Sequence, residues 1–244
     1  MTDYSTIAGE YKESKKLVFR KHVEEHTLFA LAGDLRGKAA LDLACGDGIY
    51  SRALRRAGAE RVVGVDRSES MLALCRAEEA RAPLGITYQA GDARSLGAID
   101  AFDLVVCSYL LNYARTREDL LAFCRTIHAN LKEGGRLVGF NNNPAQAPES
   151  FASSRKYGFV KSAALPLEDG SVVRFTNFLE GRELSLDNYY LSPEAHAWAF
   201  REAGFRWFAF RPPQVSEEGM RLMGAAFWQE FLEHQPLIGI EAMR

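Results

Sequence analysis

The chain has 244 residues, a formal net charge of −2, 47% hydrophobic residues and four cysteines. A chain of this size buries a large α/β core without a metal or disulfide staple. Its near-neutral charge gives no field to draw in nucleic acid or an anionic membrane surface, so a small molecule is the expected partner. No apolar run reaches the roughly 18 residues that span a bilayer. The polar start MTDYSTIAGEYKESKK lacks an apolar signal core, so a cytoplasmic location is expected. Cys45, Cys75, Cys107 and Cys124 form no CxxC pair, which suits reduced thiols and predicts neither zinc nor a disulfide.

In chain order, residues 4 to 32 carry an apolar stripe (Leu17, Phe19, Val23, Leu28, Phe29, Leu31) on one or two polar-faced helices, a cap laid over the domain. KAALDLACGDG then reads as a strand breaking into a glycine turn, followed by the helix IYSRALRRAG. The unit recurs: RVVGVD is a strand ending in Asp66, and Ser68 opens the helix SESMLALCRAEEA. ITYQAGD is a third strand and FDLVVCSYLLNYA a fourth. The helix REDLLAFCRTIHANLKEGG stops at Gly134 and Gly135, and RLVGFNNNP is a fifth strand. Between about 150 and 190 the rhythm changes: SVVRFTNF and RELSLDNYY, divided by LEG, predict an inserted antiparallel hairpin. A Ser-Pro-capped helix, the strand RWFAFRP, one long helix EEGMRLMGAAFWQEFLEHQ and the strand LIGIEAMR complete the chain. Strands alternating with helices imply parallel pairing through right-handed crossovers, the doubly wound α/β class.

Gly46 and Gly48 let a ligand approach the backbone where the next helix presents unpaired N–H groups. Asp42, just before them, is placed to meet a cationic amino group, which favours an amino-acid-bearing ligand over a pyrophosphate. Asp66 ends the second strand, at the separation where an acidic residue accepts from ribose hydroxyls. Asp92, with the Ala93 backbone, is placed for an adenine edge. A blander origin exists for each: Asp42 as a turn residue, Asp92 as a helix cap, the glycines as an ordinary strand-to-helix turn. A nicotinamide-dependent oxidoreductase is the nearest alternative, but Ser51 stands where a dinucleotide fingerprint places its third glycine.

Taken together, LDLACGDG, VVGVDRSESML, GDARSL, FDLVVCSYLLNYA and LKEGGRLVGF resemble the class I S-adenosylmethionine-dependent methyltransferases over roughly residues 38 to 140. The resemblance implies a Rossmann-like, mostly parallel seven-stranded sheet with an antiparallel last strand. It implies S-adenosyl-L-methionine as cofactor, with Asp42 and Gly46 at the methionine end and Asp66, with Arg67 beside it, at the ribose. Met71 and Ala93 would take the adenine faces, Asp92 its amino group, and Cys107 and Ser108 the region of the sulfonium. Ala44 stands where many members have glycine. The N-terminal segment and the insertion resemble the small-molecule N- and O-methyltransferases, in which a tyrosine and an arginine, here Tyr11 and Arg20, close over the cofactor carboxylate. Length and N-terminal sequence are also similar to the azapteridine (toxoflavin) methyltransferases.

The expected organisation is one methyltransferase domain over 1–244: a helical cap at 1–36, a cofactor-binding core at 37–145, a substrate-side insertion at 146–191 and a completion of the sheet at 192–244. Methyl transfer from a sulfonium depends mainly on alignment and exclusion of water, so no catalytic base is assigned and no histidine enters the site. The walls of a stacking pocket are expected from Tyr109, Tyr113, Tyr157, Phe175, Phe178, Tyr189, Tyr190 and Trp198. Aromatic residues of an insertion are also ordinary core formers, and only their clustering favours a site.

Overall fold

The computed structural model describes residues 13–244. Its strands are β1 (Ala39–Leu43), β2 (Arg61–Asp66), β3 (Thr87–Ala90), β4 (Phe102–Ser108), β5 (Leu131–Asn142), β6 (Phe159–Ala163), β7 (Val172–Leu179), β8 (Arg182–Tyr189), β9 (Trp207–Arg211) and β10 (Leu237–Met243). Seven strands form one sheet in the order β3-β2-β1-β4-β5-β10-β9. The first five run parallel, and β10 lies antiparallel between β5 and β9, as expected of the last strand. The chain reverses direction across the sheet between β1 and β4, which opens a crevice at the carboxyl ends of these strands.

The helices are α1 (His26–Ala32), α2 (Ile49–Arg56), α3 (Glu69–Arg81), α4 (Arg117–Ala129), α5 (Pro193–Glu202), α6 (Glu217–Met223) and α7 (Ala225–His234). Side-chain oxygens of Ser68, Thr116, Ser192 and Ser216 accept backbone N–H groups at the starts of α3, α4, α5 and α6, satisfying donors that no helical carbonyl reaches. Strand alternation divides the core. Leu41, Leu43, Val65 and Val105 pack with Leu120, Ile127 and Phe200 on one face of the sheet. Ala40, Val62, Leu104 and Val106 pack with Leu28 and Leu54 on the other. A third cluster joins the N-terminal segment, the insertion and α7 through Phe19, Tyr157, Phe159, Phe175, Trp228 and Phe231. Each fully buried large side chain there contributes about 1.5–3 kcal/mol.

Three elements differ from the sequence reading. The hairpin β7–β8 gains β6 on its outer edge and becomes a three-stranded antiparallel sheet. Helix α4 stops at Ala129 rather than at the paired glycines: Asn130 caps it, bonding the Gly97 and Thr126 carbonyls, and Gly134 and Gly135 lie within an irregular start of β5. The long C-terminal helix is two helices, because Gly224 takes φ 79°, ψ 156° and ends α6.

Candidate functional site

Between β1 and α2 the chain turns through Ala44, Gly46 and Gly48, all in the left-handed region (φ 64°, 56° and 78°). The carboxylate of Asp66, at the tip of β2, holds this turn: Gly46 N–H donates to Oδ2 and Ser68 N–H to Oδ1, each at 2.8 Å. Each oxygen keeps a second lone pair for a ligand. Burial pushes the Asp66 carboxyl upward against the pull of those two N–H bonds. Asp42 lies deeper, 2% exposed, and accepts from Ser51 Oγ at 2.6 Å; burial pushes its carboxyl to about 6. At Asp92 burial works in the same direction, but the backbone and guanidinium of Arg94 outweigh it and hold the carboxyl low.

Over these strand tips lies a cavity of about 320 Å³. Arg20 lines it from the N-terminal segment, Ala44 and Gly46 from the turn, and Asp66, Arg67 and Met71 from the end of β2 and the start of α3. Asp92 and Ala93 line it beyond β3, Ser108 at the end of β4. Tyr109, Tyr113, Phe175 and Tyr189 complete the aromatic wall. Strand-end residues and residues of the insertion thus share one space.

The structure separates other expected residues from that space. Asp42 and Cys107, 2% and 1% exposed, sit beneath the wall. Tyr157 is locked in the third core cluster: its hydroxyl donates to the Phe227 carbonyl at 2.7 Å and accepts from Phe231 N–H at 3.0 Å, and its ring stacks on Trp228. Trp198, on α5, packs against the core on the α4 side of the sheet. Phe178 lies under the Arg155 guanidinium, and Tyr190 lines a separate small pocket. Tyr11 lies outside the described residues.

Sequence reasoning missed Lys15, Arg94, Arg115, Leu186 and Asn188 in the lining, and it missed Glu24 behind it. Glu24 is fully buried. One of its carboxylate oxygens takes the Arg20 guanidinium and the Tyr109 hydroxyl (2.6 Å), and the other takes the Tyr50 hydroxyl. Burial alone would raise this carboxyl; the charges of Arg20 and Lys15 and the hydroxyls of Tyr109 and Tyr50 outweigh it and hold it low. The Arg20 guanidinium lies between the rings of Phe19 and Tyr109, 4.7 and 4.9 Å from their centroids. A four-residue spacing from Arg20 to Glu24 on one helical face was the available signal.

Comparison with known proteins gives this geometry a family context. Residues 40–135 match the family described as "Methyltransferase domain". The ubiquinone biosynthesis O-methyltransferase of Coxiella burnetii is 35% identical over 104 residues, 42% of this chain and 43% of that protein. Its namesake in Bordetella avium is 31% identical over 118 residues, 47% of each chain. The chain thus matches under half the length of these curated relatives. Among solved structures, an S-adenosylmethionine-dependent methyltransferase from Mesorhizobium loti superposes with a TM-score of 0.65 at 22% identity, over 95% of this chain and 100% of that one. Another from Clostridium acetobutylicum gives 0.60 at 17%, over 98% and 95%.

The residues present fit the cofactor that this fold implies. Ser108 Oγ, on the wall, is buried without a hydrogen-bond partner. Asp66 retains acceptor capacity for hydroxyls, and Met71 with Ala93 offers an apolar slot. Ala44 and Gly46, which line the cavity at the glycine turn, carry no side chain larger than a methyl group. Fold and family match agree: the chain has the fold seen in S-adenosylmethionine-dependent methyltransferases and its residues 40–135 match a methyltransferase domain, which together imply S-adenosyl-L-methionine as cofactor.

Proposed function

We propose that this chain is a small-molecule methyltransferase acting on a nitrogen or oxygen of an aromatic or heterocyclic metabolite. The observation that carries this reading is the single cavity shared by Asp66 and Asp92 at the strand tips and by Phe175 and Tyr189 of the insertion. In this reading, one domain spans 1–244, with 37–145 holding the cofactor and 146–191 facing the acceptor. The turn at Ala44 and Gly46 holds the methionine end, and Arg20 meets its carboxylate. Asp66, with Arg67 beside it, takes the ribose, Met71 and Ala93 pack on the adenine, and Asp92 faces its amino group.

When bound, S-adenosylmethionine supplies an electrophilic methyl group already activated on sulfur. The chain's own residues then have to orient the acceptor and exclude water, and positioning of this kind contributes about 7–11 kcal/mol to a barrier. Among the described residues no histidine lines the cavity, and a general base enters none of the assigned roles. Tyr113, Phe175 and Tyr189 stack the acceptor, and the Arg20–Glu24–Tyr109 group closes the cavity on the N-terminal side.

Within the class we favour a planar, heteroatom-rich ring, of the azapteridine kind to which toxoflavin precursors belong, because Asn188 and Arg115 lie beside the aromatic wall. The ubiquinone O-methyltransferases match less than half of this chain, so their acceptor does not transfer with the match. No helix among the described residues is long and apolar enough to cross a membrane.

Calorimetry with S-adenosylhomocysteine and with NADH tests the cofactor assignment, and a preference for NADH sinks it. Release of S-adenosylhomocysteine on incubation with S-adenosylmethionine and a pool of heterocyclic metabolites tests the transfer. Asp66→Ala is expected to weaken S-adenosylhomocysteine binding by about 1–3 kcal/mol through loss of hydrogen bonds to the ribose. Unchanged affinity would place the ribose elsewhere.

A further inference from the structure

A second pocket of about 30 Å³, at the carboxyl end of β5, shares Tyr189 with the main cavity as a lining residue. Asn141, Asn142, Gln146, Lys161 and His196 line it together with Tyr189. Asn141, Gln146 and His196 are 3%, 5% and 3% exposed. Nevertheless Asn141 Oδ1, Asn142 Oδ1, Gln146 Oε1 and His196 Nε2 are all buried without a hydrogen-bond partner. His196 Nδ1 lies 3.0 Å from the Ser192 carbonyl, so it carries the ring proton and leaves Nε2 as an acceptor. Buried acceptors that have lost water and gained nothing are costly, and four at one place call for a donor.

The charge balance narrows the donor. Among the described residues no carboxylate lines the pocket, so a cationic group would enter without a counterion. An anion would face four acceptors. Lys161, the one cation among the described lining residues, is 4% exposed, donates to the Pro236 carbonyl at 2.8 Å and sits 4.9 Å from the centroid of Phe151; burial lowers its pKa to about 7. Its remaining hydrogens suit a neutral acceptor. A group that offers N–H to the amides and a carbonyl to Lys161 answers both demands.

Size sets how much of a ligand enters. A water needs about 10–15 Å³ in the same measure, so this pocket has room for the edge of a ring and not for its body. Asn142 Nδ2 donates to Asn188 Oδ1 at 2.9 Å, and Asn188 lines that cavity, so one hydrogen-bonded wall serves both spaces.

We propose that this second pocket recognises the methyl acceptor by a neutral C(=O)–N–H edge, as in a lactam or cyclic ureide. The proposal rests on the methyltransferase reading above and specifies its substrate class. The test is calorimetry on the full chain saturated with S-adenosylhomocysteine, using quinazoline-2,4-dione and its 1,3-dimethyl derivative. The two probes present the same ring system and differ in the N–H donors. The parent dione is expected to bind at least about tenfold more tightly, since the dimethyl compound leaves the acceptors unmatched. Asn141→Leu and Gln146→Leu should each reduce that preference while leaving S-adenosylhomocysteine affinity unchanged. Equal affinities, binding of neither dione, or a preference that survives both substitutions overturns the proposal and leaves the pocket a site for water alone. A wild-type chain that does not bind S-adenosylhomocysteine at all strikes the methyltransferase reading first, a result visible before either dione is added.

Discussion

Glu24→Ala is expected to lower folding stability by about 3–5 kcal/mol, the scale of removing one partner from a buried ion pair. The carboxylate is fully buried and the Arg20 side chain nearly so. Without Glu24 the guanidinium stays in a poorly solvated place and loses the charge of this carboxylate, and the hydroxyls of Tyr50 and Tyr109 lose the acceptor they share. The buried Tyr50 hydroxyl, deprived of this acceptor, adds about 1–3 kcal/mol of desolvation to the loss, though the parts of one network do not sum independently. Glu24→Gln keeps the shape and one acceptor oxygen, so its loss should be smaller. Urea denaturation of the three proteins measures the series; a loss below about 1 kcal/mol for Glu24→Ala would mean that the group is solvated. Arg20 and Tyr109 both line the main cavity, so affinity for S-adenosylhomocysteine should fall in the same order as stability.

Asp42→Asn should stabilise the protein, by an amount that grows with pH. Burial raises the Asp42 carboxyl from its ordinary 3.8 to about 6, so the folded chain holds this proton more tightly than the unfolded chain does. Stability from that preference is complete below the unfolded value and is lost as pH rises toward the folded one; above it the ionised form burdens the native state. A shift of roughly two pH units corresponds to ~3 kcal/mol. The asparagine variant cannot ionise, so its advantage over wild type should increase by about that amount between pH 4 and pH 7. Denaturation midpoints taken across this range give the answer, and a constant difference between the two proteins would show that Asp42 titrates normally.

The half of the site proposed to hold the cofactor was readable because parallel strands buried on both faces leave apolar runs that end abruptly in glycine or aspartate. LDLACGDG, RVVGVD and ITYQAGD put Gly46, Asp66 and Asp92 at strand ends, and the structure brings all three to one cavity. The acceptor half was less legible, since an aromatic ring says nothing of which face it takes. Phe175 and Phe178 lie three apart on β7 and therefore point to opposite sides, one to the cavity and one to Arg155. Tyr157 and Trp198 belong to cores that only the tertiary arrangement creates. Strand β6 was missed because FVKSA is short and half polar. The break at Gly224 was missed because apolar residues continue on both sides of it. Asp42 reads as a ligand-facing residue, whereas it is buried against Ser51 and is not among the residues that line the cavity.

The antiparallel sheet β6–β8 leaves the large sheet after β5 and returns before α5, so it is a detour in the chain and contributes no strand to the parallel core. Its residues make up much of the far wall of the cavity, while the glycine turn and the aspartates belong to the segment before it. Under the proposed function the labour is therefore divided along the chain: rewriting this one excursion would alter which molecules are admitted and leave the strand-tip residues as they are.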